Sequence, residues 1–236
     1  MFYYYIPNSI LIAAAIIPAI ALLVLVYRQD RIEKEPLPLL LSLVAYGIIA
    51  TAIAKLLERA GVFLLDSVFR GETTLYNVLL YFGVVAYAEE AAKYALLKRR
   101  TWSHPDFNCR FDGVVYAVFV SLGFALWENL GYVFMYGLGT ALIRALTAVP
   151  GHACFGVFMG CWYGQARMLE GKRDKTSAKA CRVLALMVPA LLHGAYDYLA
   201  VAAAYGQAWQ FILFVAAMFL LTLLLIRRLA SRDRFV

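Results

Sequence analysis

The chain has 236 residues, of which 64% are hydrophobic and 16% charged, with a formal net charge of +7 and a mean hydropathy of +0.73. Soluble domains average about 45–50% apolar residues, so this composition excludes an ordinary soluble fold and predicts one all-α integral membrane domain over residues 1–236. Lys and Arg collect in short segments between apolar runs, which reads as a topology signal and argues against a nucleic-acid-binding face.

Seven runs approach or exceed the ~20 residues that a membrane-spanning helix needs. In chain order they are Asn8–Tyr27, Leu37–Leu57, Leu75–Leu97, Gly113–Phe134, Ala141–Tyr163, Val183–Ala204 and Ala208–Ile226, a polytopic bundle of about seven spanning helices. The intervening segments Arg28–Glu35, Lys98–Asp112, Gln165–Arg182 and the tail from Arg227 hold 3, 4, 6 and 4 Lys/Arg residues, 17 of the 22. The segments on the other side hold only Arg59 and Arg70, so the positive-inside rule puts the N-terminus outside and the C-terminus in the cytoplasm. The first run lacks a basic leader and a small-residue cleavage site, which reads as a retained helix. Glu58–Thr73 mixes apolar residues with charges and is expected to lie in the outer interface. Gln165–Arg182 is polar and basic with no periodic apolar face, and is expected to be a mobile loop. Cys109, Cys154, Cys161 and Cys181 show no CxxC spacing and read as small buried hydrophobes or free loop thiols.

Ionisable residues inside the apolar runs need an explanation, because each costs roughly 2.5–3.5 kcal/mol at the centre of a membrane helix. The third run carries Glu89, Glu90 and Lys93, with the lysine four and three residues beyond the two carboxylates and in reach of either. This motif alone could be a helix-orienting ion-pair network. The fourth run carries Glu128 beside Asn129, with no lysine nearby on its own helix. On the fifth, Pro150 precedes His152 and frees a backbone carbonyl, a break expected where backbone lines a cavity. Gly156, Gly160 and Gly164 continue the His152 face at four-residue spacing as a packing seam. The sixth run has Pro189, then His193 and Asp197, which four-residue spacing places on one face.

Glu-Glu-Ala-Ala-Lys at 89–93, Asp112-Gly113, Gly123-Phe124 with Glu128-Asn129, Gly151-His152, and His193-Gly194 with Asp197 occur in this order from the third to the sixth run. Together they resemble the PrsW family of bacterial membrane proteases, and more distantly the CAAX-processing and bacteriocin-processing proteases. The resemblance covers about half the chain and places the catalytic motifs within residues 75–204. It implies an intramembrane endopeptidase of a bacterial or archaeal cell membrane, described as a metalloprotease or a glutamic protease, that cuts single-span proteins such as anti-sigma factors. By position, Glu89 and Glu90 would be the catalytic glutamates, and Glu128, His152, His193 and Asp197 the ligand or transition-state set.

Two mechanisms stay open. In one, His152, His193 and Glu128 hold a catalytic zinc, and Glu89 or Glu90 takes a proton from the bound water. In the other, a glutamate activates water directly while His193 with Asp197 or Asn129 stabilises the oxyanion. Helical counting puts Glu90 on the cytoplasmic side of its helix midpoint and Glu128 on the outer side of its own, an offset that could exceed one coordination shell. A proton-coupled transporter would also place carboxylates and histidines beside broken helices, but no paired inverted halves are visible. A non-catalytic membrane scaffold explains the Glu89–Lys93 pairing and leaves the other four residues unexplained.

Overall fold

The computed structural model describes residues 7–69, 71 and 73–235. Among them all regular structure is helical, apart from an isolated bridge between Cys109 and Phe235. Helix α1 (Asn8–Gln29) leads through a short loop to α2 (Leu37–Val68), which carries a proline in its first turn, where the missing N–H has no helical partner to lose. Thr73 caps α3 (Thr74–Val78) by accepting a hydrogen bond from the Tyr76 N–H at 3.1 Å. The chain then winds through a π-helical stretch (Leu79–Ala86) into α4 (Tyr87–Thr101). Next come α5 (Asp112–Tyr136), α6 (Leu138–Leu146), α7 (Ala148–Gly171) and α8 (Lys175–Ala202), then a second π-helical stretch (Ala203–Gln207) and α9 (Ala208–Ser231). Six helical segments are long and apolar enough to cross a membrane, and the helical stretch from α3 to α4 accounts for the seventh run.

Three expectations change. Residues 58–68 are the last turns of α2 and not a separate interfacial segment, because Gly61 lets the helix continue against Val84 of the π-helical stretch. Arg70 and Glu72, which belonged to that expected segment, lie outside the described residues. The loop expected at 165–182 shrinks to residues 172–174, because Asp174 caps α8 by accepting from the Ser177 N–H at 3.1 Å. The fifth run is two helices, broken at Thr147 (φ −122°, ψ −68°). Pro150 explains the break: its ring would clash with the carbonyl of residue 146 in a continuous helix. Pro150 and His152 thus sit in the first turns of α7, at its start and not at mid-helix.

Helix α5 is the axis of the bundle, buried on all sides from Asp112 to Ala125 and packed chiefly against α7 and α2. The approach depends on missing side chains. A Cβ on Gly160 would stand 2.4 Å from the Gly113 oxygen and Val114 Cα, and one on Gly47 would stand 2.1 Å from the Val120 oxygen. The expected glycine seam therefore closes the α5–α7 contact. Gly160→Val should force the two helices apart, costing about 1–3 kcal/mol or more and lowering the melting temperature of the purified protein. An unchanged melting curve would mean that α7 does not depend on this contact.

Candidate functional site

Helices α4, α5, α7 and α8 each turn ionisable residues towards one point, and α6 folds back to add another. Lys93 is fully buried, and its ammonium lies 2.7 Å from Glu90 Oε1, 3.5 Å from Glu89 Oε2 and 3.2 Å from His152 Nδ1. It also stands 4.0 Å from the centroid of the Phe124 ring. Glu90 Oε1 meets His193 Nδ1 at 3.0 Å. His193 Nε2 lies 3.5 Å from Asp197 Oδ2 and 3.9 Å from Glu89 Oε2, so the four-residue spacing of His193 and Asp197 does place both on one face. Phe155 stacks on the His193 ring at 4.6 Å between centroids and fixes its plane. His152 is held from its backbone, where its carbonyl accepts from Ser121 Oγ at 2.7 Å, and from its ring, where Nε2 meets Glu128 Oε2 at 3.2 Å.

Glu128 is not left to the histidine alone. Arg144 of α6 donates to Glu128 Oε2 at 2.8 Å and to Asn129 Oδ1 at 3.0 Å, while Asn129 donates to the Ala15 carbonyl at 3.0 Å. Lys55 of α2 lies 3.8 Å from Glu89 Oε1. The offset between Glu90 and Glu128 along their helices is thus bridged: Lys93 and His152 link them in one chain of polar contacts. Arg144 and Lys55 were not singled out from the sequence. Both sit inside apolar runs, so the cost of an intramembrane charge was the signal available for them.

The proton positions follow from donor chemistry. Lysine has only donors, so His152 Nδ1 accepts from Lys93 and the ring proton sits on Nε2, towards Glu128. For neutral His193 the Glu90 carboxylate places the proton on Nδ1 and leaves the Nε2 lone pair towards Glu89 and Asp197. Both rings therefore turn Nδ1 inward, to Lys93 and Glu90, and Nε2 towards Glu128, Asp197 and Glu89. Those three carboxylates, with both histidines, line a cavity of about 610 Å³, whereas Glu90 and Lys93 do not.

One atom each of Glu89, His152 and His193 lies within 4.8 Å of the other two. Two imidazoles and a carboxylate are the donor types of a catalytic metal site, so this set fits a metal in chemistry and convergence. Carboxylate–imidazole contacts of the Glu90–His193 kind are how such ligands are oriented. His152 fits on one condition: Nε2 must be free, so the ring proton moves to Nδ1 and Lys93 gives up one of its own, and loading would release a proton. Of the residues read from the sequence as ligands, Glu128 and Asp197 stand beside the histidines but outside this compact set.

Fold and cluster together define a polytopic membrane protein that keeps a charged cavity inside its helix bundle. Residues 35–224 match the family model described as PrsW family intramembrane metalloprotease. A protein named Protease PrsW from Bacillus subtilis is 34% identical over 189 residues, covering 80% of this chain and 82% of its own. Its counterpart from Halalkalibacterium halodurans is 37% identical over 188 residues, 79% of this chain and 81% of its own. The one from Shouchella clausii is 32% identical over 225 residues, 95% of this chain and 98% of its own. No solved structure matches the chain. The chain belongs to the PrsW family. It is an intramembrane endopeptidase, a multi-pass membrane protein whose substrate is met within the membrane, and the transporter and scaffold readings fall away.

Proposed function

We propose that the protein, acting as a single membrane domain in a bacterial membrane, cuts single-span membrane proteins with a water activated in the cavity lined by Glu89, His152 and His193. The observation that carries this reading is the convergence of those three side chains on one point of that cavity, with the Nδ1 side of both rings tied to buried partners. His152, His193 and Glu89 would hold a zinc ion, which when bound supplies an acidified water and a polarised carbonyl. Glu90 orients His193, Ser121 and Lys93 hold His152 from its backbone carbonyl and from Nδ1, Arg144 holds Glu128 beside the site, and Lys93 neutralises the inner carboxylates. Asp197, whose side chain is 23% exposed against 3% for Glu89, would receive the proton lost by the water and return it to the leaving amine. A second cavity shares Tyr81 and Val201 with the first and extends it between α3 and the end of α8, a largely tyrosine-lined approach for an unwound substrate segment.

A metal-free version is favoured by one observation, the Lys93 contact that keeps the His152 proton on Nε2. There Glu89 itself takes the proton of the water, and His193 with Asp197 stabilises the oxyanion. Metal analysis separates the two. The zinc version predicts close to one equivalent in the purified protein, loss of cleavage with a strong chelator and recovery on adding zinc. Active, metal-free, chelator-insensitive enzyme would contradict it and leave the Glu89-activated water.

The orientation we propose has the basic end in the cytoplasm. Contacts gather the basic segments there: Asn108 donates to Glu33, Arg100 to Ser42 Oγ, and the Arg110 N–H to the Arg234 carbonyl. Single cysteines at 172–174 should react with an impermeant label only from the cytoplasmic side. Labelling from outside would reverse the topology.

A further inference from the structure

A second group of carboxylates lies at the basic end of the bundle, away from the cavity. Asp30 follows the last turn of α1, Glu35 precedes α2, and Asp112 opens α5. They are 2%, 4% and 2% exposed, and one carboxylate oxygen of each lies within 4.8 Å of the other two. Asp112 is 16 positions before Glu128 on the same helix, about 24 Å at 1.5 Å per residue, so this group is distinct from the catalytic cluster.

Two members have partners. Asp112 Oδ2 accepts from the Asn108 and Cys109 N–H groups at 3.0 and 2.6 Å, and Glu35 Oε2 accepts from the Tyr116 hydroxyl. Asp30 has none. Both its carboxylate oxygens are buried without a hydrogen-bond partner among the described residues. The nearby Lys34 offsets its charge only from a distance: the ammonium is bonded to the Tyr27 and Asp30 backbone carbonyls and stands over the Tyr27 ring. A buried, unpartnered carboxylate facing two others is costly unless something neutralises it. Three converging carboxylates are the ligand chemistry of a hard divalent cation.

We propose that Asp30, Glu35 and Asp112 bind a divalent cation of the oxygen-preferring class, Mg2+ or Ca2+, which fastens the α1–α2 loop to the start of α5. Burial pushes the Asp30 and Glu35 carboxyls up, to about 6 and about 7, and in Asp30 it outweighs the opposing pull of Lys34. The Asp233 carboxylate joins the C-terminal tail to the same corner: its Oδ1 accepts from the Phe111 N–H at 2.9 Å.

The test uses the full-length protein stripped of metal by a chelator and melted in detergent with Mg2+ and Ca2+ added separately. A His193→Ala background removes binding at the catalytic cluster. One of the two cations should raise the melting temperature saturably, by about 5–10 °C at a hundredfold excess over its Kd. In Asp30→Asn, and separately in Glu35→Gln, the shift should disappear, while cation-free Asp30→Asn melts at or above the parent because an unpaired buried charge is gone. No saturable shift with either cation would overturn the proposal and leave protons as the neutralising charge. A shift that survives both substitutions would overturn it as well.

Discussion

Lys93→Met should be among the most damaging single substitutions in this protein. The side chain is of similar length, but the change leaves Glu90 and Glu89 buried without the ammonium that stands 2.7 and 3.5 Å from them. Removing one member of a buried charge pair costs about 3–5 kcal/mol, which corresponds to a fall of roughly 6–20 °C in melting temperature for a chain of this size. The double variant Lys93→Met, Glu90→Gln should recover a large part of that loss, because it removes the stranded charge together with its partner. Melting curves of the three proteins in one detergent check this. A Lys93→Met protein that melts with the parent would mean that the inner carboxylates do not rely on Lys93.

Glu89→Gln should separate activity from stability. Glu89 lines the cavity and reaches His193 Nε2 at 3.9 Å, whereas Glu90 lies outside the cavity lining and bonds Lys93 and His193 Nδ1. Glu89→Gln keeps the shape and should cut cleavage by about 10²–10⁴-fold, with a melting temperature equal to or above the parent. Glu90→Gln should lower both cleavage and stability, because it weakens the contacts that hold Lys93 and orient His193. Equal rates for the parent and Glu89→Gln in a single-turnover assay would remove Glu89 from the reaction.

The cost of charge in an apolar run made much of the site visible in the sequence: Glu89, Glu90, Lys93, Glu128, His152, His193 and Asp197 all stood out before any contact was known. Spacing along one helix then paired Lys93 with the two glutamates and His193 with Asp197, as the structure does. Pairings between helices were not legible, since nothing local links Lys93 to His152, 59 positions away, or Glu128 to Arg144 on a helix that the hydropathy merged into α7. The break at Thr147 was signalled by Pro150 but displaced by three residues, because proline disturbs the turn before it. Asp112 was noticed only within a motif. Asp30 and Glu35 were counted with a cytoplasmic loop, where acids need no partner, and only their burial against α5 makes them notable.

The position of the cut in the substrate, and the residue that makes it, test the buried cluster most directly. The purified protein, reconstituted in a bilayer with a labelled single-span membrane protein, should yield two products whose new termini, read by mass spectrometry, lie inside the substrate's membrane segment. The same mixture with Glu89→Gln should leave the substrate intact. A cut confined to the substrate's aqueous loops, or the same intramembrane cut made by Glu89→Gln, would contradict the assignment of the reaction to the buried Glu89, His152 and His193 cluster.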